Sequence, residues 1–197
     1  MVPSGRSLVP DRDLRKPPKF KYGRDGVGTM IQPGDLAPDF EGISTRGSGF
    51  RLSSLPNGPV ILYFYPRAGS LGCTYESIGF AKAFPALHER GVSVVGVSVD
   101  SLSDQRKFLE TCSLPFPLVA DSDKAIARRF GVLGAFGHSR RVTFLLDENR
   151  RVLQVVDSMR PGVHVTAARR TFLEPVGGPT SAPRGTRPTA SDPGPSP

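Results

Sequence analysis

The sequence is short of the residues that mark several common kinds of protein. It has two cysteines and three histidines, and it has no Cys-x-x-Cys pair. Neither a secreted disulfide framework nor a metal site therefore has the residues that it needs. No run approaches the ~20 apolar residues of a membrane span, and the N-terminus lacks the apolar core of a secretory signal. These absences predict a soluble cytoplasmic protein with neither a metal nor another cofactor.

The formal net charge of +8 raises the question of a nucleic-acid or membrane partner. Residues 1–30 carry seven Lys and Arg against three Asp and Glu, and residues 31–173 carry 17 against 13. The excess is thus spread along the chain, and no basic stripe is interleaved with aromatic residues. We therefore expect neither a nucleic acid nor a membrane as a partner.

Composition divides the chain into an arm, a domain and a tail. Residues 1–31 are rich in Arg, Lys, Pro and Gly without apolar periodicity, and residues 174–197 contain seven Pro and four Gly. Such segments bury too little apolar surface to offset their ordering entropy, so both are expected to be disordered. The domain is expected at 32–173. Two interpretations of the arm stay open: it is part of the protein, or translation starts at Met30.

Within the domain, short apolar strands alternate with helical patterns. Residues 59–65 are an almost continuous apolar run, which favours a buried parallel strand, and residues 92–100 predict a second one. Helices are expected at 73–90 and 101–113. The other expected elements are a hairpin at 40–52, a strand at 116–120, a helix at 122–130, strands at 142–147 and 152–157, and a helix at 163–173. This order predicts an α/β fold of the thioredoxin-like class, with a mixed sheet covered by helices on both faces.

Cys73 follows a glycine-containing loop and stands in the first turn of a long predicted helix. Free backbone N–H groups and the positive end of the helix dipole favour a thiolate there over a thiol. A buried structural cysteine is the alternative, since free cysteines often behave as small apolar residues. The neighbours Gly72 and Thr74 are small or polar, which favours a functional nucleophile.

Several separated motifs, in order, resemble the peroxiredoxins, in particular the bacterioferritin comigratory protein or PrxQ type. The resemblance covers residues 33 to about 168. Its motifs are GDLAPDF at 34–40, LYFYP at 62–66, GCT at 72–74, FPLVAD at 116–121 and RVTFLLD at 141–147. It implies a thiol-dependent peroxidase that reduces hydrogen peroxide and organic hydroperoxides, is recycled by thioredoxin or a similar thiol donor, and works as a monomer.

The family's active-site pattern is P-x-x-x-T/S-x-x-C together with a distant arginine, and the resemblance assigns a role to each member. Pro66, Ser70, Cys73 and Arg141 match it. Cys73 would attack the peroxide, and Arg141 would stabilise the thiolate and the developing charge. Ser70 would hydrogen-bond the peroxide, and Pro66 would cover the sulfur. From its sequence context alone, Arg141 would instead be a solvated charge beside Arg140.

The sequence also departs from the family pattern. Ser70 stands where threonine is commoner, and Leu71 replaces a frequent proline. The position of the usual resolving cysteine, five residues after Cys73, is Ile78. Some relatives carry the resolving cysteine in the second helix, about one turn before Cys112. Two routes for recycling Cys73 therefore stay open: a disulfide with Cys112, or direct reduction by an external thiol.

Two other functions fit the same fold less well. A dithiol oxidoreductase needs a second sulfur that Cys73-Thr74-Tyr75-Glu76 lacks, and a cysteine hydrolase needs a histidine placed beside the cysteine. A binding module with a basic arm on a thioredoxin-like scaffold is the main alternative, because a fold does not by itself give a function.

Overall fold

The computed structural model describes residues 29–174. The predicted disordered arm and tail lie outside this range, apart from residues 29–31 and Glu174. Ile31 is buried in a core cluster, and Met30 packs against the same cluster. Apolar packing therefore extends into the last residues that were predicted to belong to the arm.

The described residues form seven β-strands and four α-helices. Their bounds, in chain order, are β1 Glu41–Ser44, β2 Gly47–Arg51, β3 Val60–Phe64, α1 Leu71–Glu89, β4 Ser93–Ser98, α2 Leu102–Cys112, β5 Leu118–Ala120, α3 Ala125–Phe130, β6 Val142–Leu146, β7 Val152–Asp157 and α4 Pro161–Phe172. Every element type agrees with the sequence prediction, and the differences lie at the ends.

The largest difference is at α3, which was expected to begin at residue 122. Lys124 has a left-handed backbone with φ of 64° and acts as the N-cap. The carboxylate of Asp121 accepts hydrogen bonds from the N–H groups of Ile126 and Ala127, at 2.9 and 2.8 Å. These bonds fix the start of the helix at Ala125, and residues 122–124 form a turn instead.

All seven strands join one mixed sheet in the order β2-β1-β5-β4-β3-β6-β7. Strands β3, β4 and β5 run parallel, whereas the β1–β2 hairpin and the β6–β7 pair are antiparallel to their neighbours. Side chains alternate across β3. Val60, Leu62 and Phe64 enter a cluster with α3, and Ile61 and Tyr63 enter one with α1, α2 and α4. Helices cover both faces, as predicted.

The pairing of β3 with β6 positions the site. The two strands are antiparallel, and Phe64 at the end of β3 pairs with Val142 at the start of β6. Arg141 immediately precedes Val142, so it lies beside the point where the chain leaves β3 for α1. Two segments that are almost 70 residues apart in sequence are therefore neighbours at one edge of the sheet.

Candidate active site

Cys73 is the third residue of α1 and is fully buried. The first hydrogen bond of the helix runs from the N–H of Thr74 to the carbonyl of Ser70, at 2.8 Å. Cys73 therefore stands among the first N–H groups of the helix, which have no acceptor within the helix itself. Burial alone would fit a structural cysteine, so the contacts of the sulfur decide its role.

The guanidinium of Arg141 is the group that meets this sulfur. Its Nη2 lies 3.3 Å from Cys73 Sγ, and the arginine is only 5% exposed. Burial by itself would lower the pKa of Arg141, but its interactions with Glu76 and Cys73 more than offset this and raise it. A permanent positive charge thus contacts the sulfur in a site shielded from water.

Arg140, unlike Arg141, lies at the surface. It forms an ion pair with Asp157, and both side chains are more than a third exposed. From its sequence context alone, Arg141 was expected to be a solvated surface charge. In the structure that description fits Arg140, and Arg141 is buried. The chain thus supplies a matched control for Arg141 at the adjacent position.

Glu76 completes the environment of the arginine. It lies three residues after Cys73, on the same face of α1, and it is fully buried. One of its carboxylate oxygens forms an ion pair with Nη1 of Arg141. Burial raises the pKa of Glu76 to about 7, although Arg141 acts to lower it. Sequence reasoning missed Glu76, whose only signal was its i+3 spacing from Cys73.

His164, on α4, extends this group to a third element. Its Nε2 is 2.9 Å from the carbonyl oxygen of Ser158, and its Nδ1 is 2.9 Å from Oγ1 of Thr143. The same Nδ1 is 3.6 Å from Oε1 of Glu76. The sequence could not place this histidine relative to Cys73. In the structure, Cys73, Arg141, Glu76 and His164 form one continuous buried group.

Gly72 leaves the space that the guanidinium occupies. A Cβ atom at this position would lie 2.9 Å from Nη2 of Arg141 and 3.7 Å from Pro161. Because Arg141 is held by both Cys73 and Glu76, it has little freedom to move away. A glycine immediately before Cys73 therefore lets the arginine reach the sulfur.

Pro66 and Ser70 both lie in the loop between β3 and α1, and both are partly buried. The N–H of Ala68 anchors this loop by donating to the Asp100 carboxylate at 2.7 Å. Ser70 is the N-cap residue of α1, yet its hydroxyl makes no capping hydrogen bond. The hydroxyl thus remains free to bind a ligand near the start of the helix.

Cys112 is the last residue of α2 and is partly buried. It lines a pocket of about 420 Å³. This pocket is also lined by Gly69 of the loop and by Thr74, which follows Cys73 in α1. Burial raises the pKa of the Cys112 thiol. Thr74 and Cys112 thus line one pocket from the ends of two helices, and no disulfide joins the two cysteines.

Within residues 29–174, no three His, Cys, Asp or Glu side chains are grouped closely enough to hold a metal ion. No helix in the same range has both the length and the apolar character that crossing a membrane requires.

Comparison with known proteins finds the same family throughout. A model of the AhpC/TSA family matches residues 33–155. A putative peroxiredoxin of Mycobacterium tuberculosis is 38% identical over 133 residues, which cover 65% of this chain and 86% of that protein. Peroxiredoxin Bcp of Escherichia coli K12 is 30% identical over 141 residues, which cover 68% of this chain and 90% of that protein.

A solved structure agrees with these sequence matches. The crystal structure of peroxidoxin BcpB from Mycobacterium tuberculosis superposes with a TM-score of 0.69 at 36% identity, and the match covers 73% of this chain and 97% of that one. The predicted thioredoxin-like class and the resemblance to the bacterioferritin comigratory type are therefore confirmed. The comparisons give no support to the alternative of a binding module.

Proposed function

The chain belongs to the AhpC/TSA family and is a thiol-dependent peroxidase, and we propose that Cys73 is its peroxidatic cysteine, supported by Arg141, Ser70 and Pro66. The observation that carries this proposal is the buried contact between Arg141 and the Cys73 sulfur, at 3.3 Å. Cys73 also stands where the positive end of a helix dipole favours an anion. Both features stabilise negative charge that develops at the sulfur.

In the proposed reaction, the Cys73 thiolate attacks the terminal oxygen of a hydroperoxide. A sulfur–oxygen bond forms as the O–O bond breaks, and the electron pair of the O–O bond leaves on the other oxygen. That oxygen takes up a proton and departs as water or an alcohol, while Cys73 becomes a sulfenic acid. Two electrons pass from the sulfur to the peroxide.

Each supporting residue has a physical task in this step. Negative charge moves from the sulfur across the two peroxide oxygens, and Arg141 can donate to them while it stabilises that charge. The free hydroxyl of Ser70 can hydrogen-bond the peroxide. Pro66, at the base of the same loop, would cover the sulfur and limit its contact with water.

We propose that Cys112 resolves the sulfenic acid: its sulfur attacks the sulfur of oxidised Cys73, a disulfide forms as the S–O bond of the sulfenic acid breaks, and the oxygen leaves as water. Both cysteines stand in terminal helical turns, which open at low cost compared with the middle of a helix. The Cα atoms of a disulfide must come within about 4.4–6.8 Å of each other. The pocket shared by Thr74 and Cys112 gives the first turn of α1 a space into which it can unwind.

Mass analysis after one equivalent of peroxide tests this pairing. A disulfide between Cys73 and Cys112 lowers the mass by two hydrogen atoms and removes both free thiols. In Cys112→Ser the mass should instead rise by one oxygen, and turnover with thioredoxin should fall at least about tenfold. Dithiothreitol, which can reduce a sulfenic acid directly, serves as the control donor and should maintain turnover. Wild-type turnover of Cys112→Ser with thioredoxin would leave direct reduction as the mechanism.

The partners follow from the same chemistry. The substrate is a peroxide and the reductant is a thiol. We propose that this thiol donor is thioredoxin. We also propose that the enzyme works in the cytoplasm, where thioredoxin and similar reductants keep thiols reduced. We also propose a monomer, because both core clusters of the described residues close within a single chain.

We propose that residues 32–173 carry the whole activity. A trimmed chain from Met30 to Glu174 keeps the packing of Met30 and Ile31 against the core. It should retain the peroxidase rate and the melting temperature of the full chain, because the removed segments have no apolar pattern with which to pack. Both quantities are compared in one buffer by peroxide consumption and thermal unfolding. A fall of several degrees on trimming would show that a removed segment docks on the domain.

A further inference from the structure

We propose that His164 is a positioning residue for the peroxidatic cysteine: it shares a proton with Glu76 and thereby leaves the positive charge of Arg141 available to the Cys73 thiolate. The inference rests on the proposed function of Cys73. It assigns a task to a buried histidine that lies on a different helix and does not contact the sulfur.

The hydrogen bonds of His164 define where its protons lie. A carbonyl oxygen can only accept, so Nε2 donates its proton to the carbonyl of Ser158. In a neutral imidazole the other nitrogen, Nδ1, then carries no proton and accepts from the hydroxyl of Thr143. The same nitrogen is 3.6 Å from Oε1 of Glu76.

That carboxylate oxygen is buried and has no hydrogen-bond partner. With Glu76 ionised and His164 neutral, two unprotonated atoms would face each other without water to separate them. A proton on either group removes this repulsion and avoids leaving two unprotonated buried acceptors side by side. The geometry therefore calls for a proton on the Glu76–His164 pair, on either partner.

The charges of the site support the same conclusion. Cys73, Glu76 and His164 are fully buried, and Arg141 is 5% exposed. With Cys73 as a thiolate and Glu76 ionised, a single guanidinium faces two anions, and the buried site carries one net negative charge. A proton on the Glu76–His164 pair makes the site neutral, which avoids the cost of an uncompensated buried charge.

Burial acts on the proton affinities of both members of the pair. It lowers the pKa of His164 below its ordinary value, and Arg141 lowers it further, although the Ser158 carbonyl and Asp157 act to raise it. Burial raises the pKa of Glu76 to about 7. Tyr63 of β3 and Tyr65, which follows that strand, both interact with Glu76; burial raises the pKa of both tyrosines, so they stay neutral.

Competition for Arg141 explains why this proton matters to Cys73. An ionised Glu76 attracts the guanidinium that the thiolate also needs. A carboxyl that shares a proton with His164 attracts the guanidinium less strongly, so the interaction between Arg141 and the Cys73 thiolate becomes stronger. Losing the proton acceptor at position 164 should therefore shift the ionisation of Cys73 to higher pH.

The test is His164→Gln, whose amide can replace the hydrogen bond to Ser158 but cannot take up a proton. The pH midpoint of Cys73 alkylation by iodoacetamide should move upward by about one unit, a tenfold change in thiolate fraction below the midpoint. Peroxide reduction should fall at neutral pH and recover at alkaline pH. The matched control is His88→Gln, an exposed residue on α1, which should change neither.

The pairing with Glu76 is tested by a double-mutant cycle. Glu76→Gln removes the competing anion, so adding His164→Gln to it should leave the alkylation midpoint where Glu76→Gln alone places it. An unshifted midpoint in a folded His164→Gln, a rate deficit that persists at alkaline pH, or full additivity in the cycle would each overturn the proposal. Failure of the proposed function would be distinguished by wild-type activity in Cys73→Ser.

A second measurement needs no change at His164. Coupling between sites is reciprocal, so the Cys73 thiolate must help the Glu76–His164 pair to keep its proton. In nitrogen-15 spectra of the imidazoles, the titration of His164 should therefore move to lower pH in Cys73→Ser than in the wild type. Identical titration curves in the two proteins would contradict the proposal even if His164→Gln did not fold.

Discussion

Replacing Cys73 with serine is expected to abolish peroxide consumption, with a loss on the order of a thousandfold or more. A serine hydroxyl is not ionised near neutral pH and cannot accept the oxygen as a sulfenic acid. The replacement changes one buried atom of similar size, and its hydroxyl can accept a hydrogen bond from Arg141. The fold should therefore survive.

Peroxide loss in a colorimetric assay gives the activity, and circular dichroism with thermal unfolding checks the fold. Cys112→Ser serves as the control, since it keeps the nucleophile and should still consume one equivalent of peroxide. Turnover at the wild-type rate by a folded Cys73→Ser would show that the chemistry takes place elsewhere. The proposed roles of Arg141, Ser70 and Pro66 would then fail with it.

The local parts of the site could be predicted from the sequence because they depend on short-range patterns. A continuous apolar run predicted β3, and the glycine-containing loop followed by a helical pattern placed Cys73 near the start of α1. Helix α1 begins at Leu71, two residues before the expected start. The nucleophile therefore lies in the first turn, as the electrostatic argument required.

Contacts between segments that are distant in sequence could not be predicted from such short-range patterns. Arg141 was found only through the family resemblance, because its own context indicated a solvated charge. Its position depends on the antiparallel pairing of β3 with β6, and a single sequence does not encode that register in any short pattern. Glu76 and His164 were missed for the same reason: their chemistry arises where α1 and α4 meet over the sheet.

Glu76 also shows why burial changes the interpretation of a residue. On an isolated amphipathic helix, a glutamate one turn after a cysteine would be a solvated side chain. Here it is enclosed beneath α4 and held by Arg141. Because its pKa is about 7, Glu76 can gain or lose a proton near neutral pH, which is a property of many groups in enzyme active sites. The sequence supplied the residue, and tertiary packing supplied its properties.

Replacing Arg141 with alanine should have the second largest effect, a loss on the order of 10²- to 10³-fold in peroxide reduction, as for removal of a preorganised charge-stabilising donor. The pH midpoint of Cys73 alkylation should rise in parallel, because the sulfur loses its only guanidinium contact among the described residues. Arg140→Ala should change neither quantity, since Arg140 is paired with Asp157 at the surface.

The stability of Arg141→Ala needs its own control, because breaking a buried ion pair by removing one partner costs about 3–5 kcal/mol. Protonation of Glu76 relieves part of this cost, so the variant should be most stable at mildly acidic pH. In the double variant Arg141→Ala/Glu76→Gln, the Glu76 carboxylate that would be left buried without a partner is replaced by a neutral amide. The fold should recover there while peroxide reduction stays low, which separates the effect on catalysis from the effect on folding. Equal losses in Arg140→Ala and Arg141→Ala would instead mean that the contact with the Cys73 sulfur is not what the reaction uses.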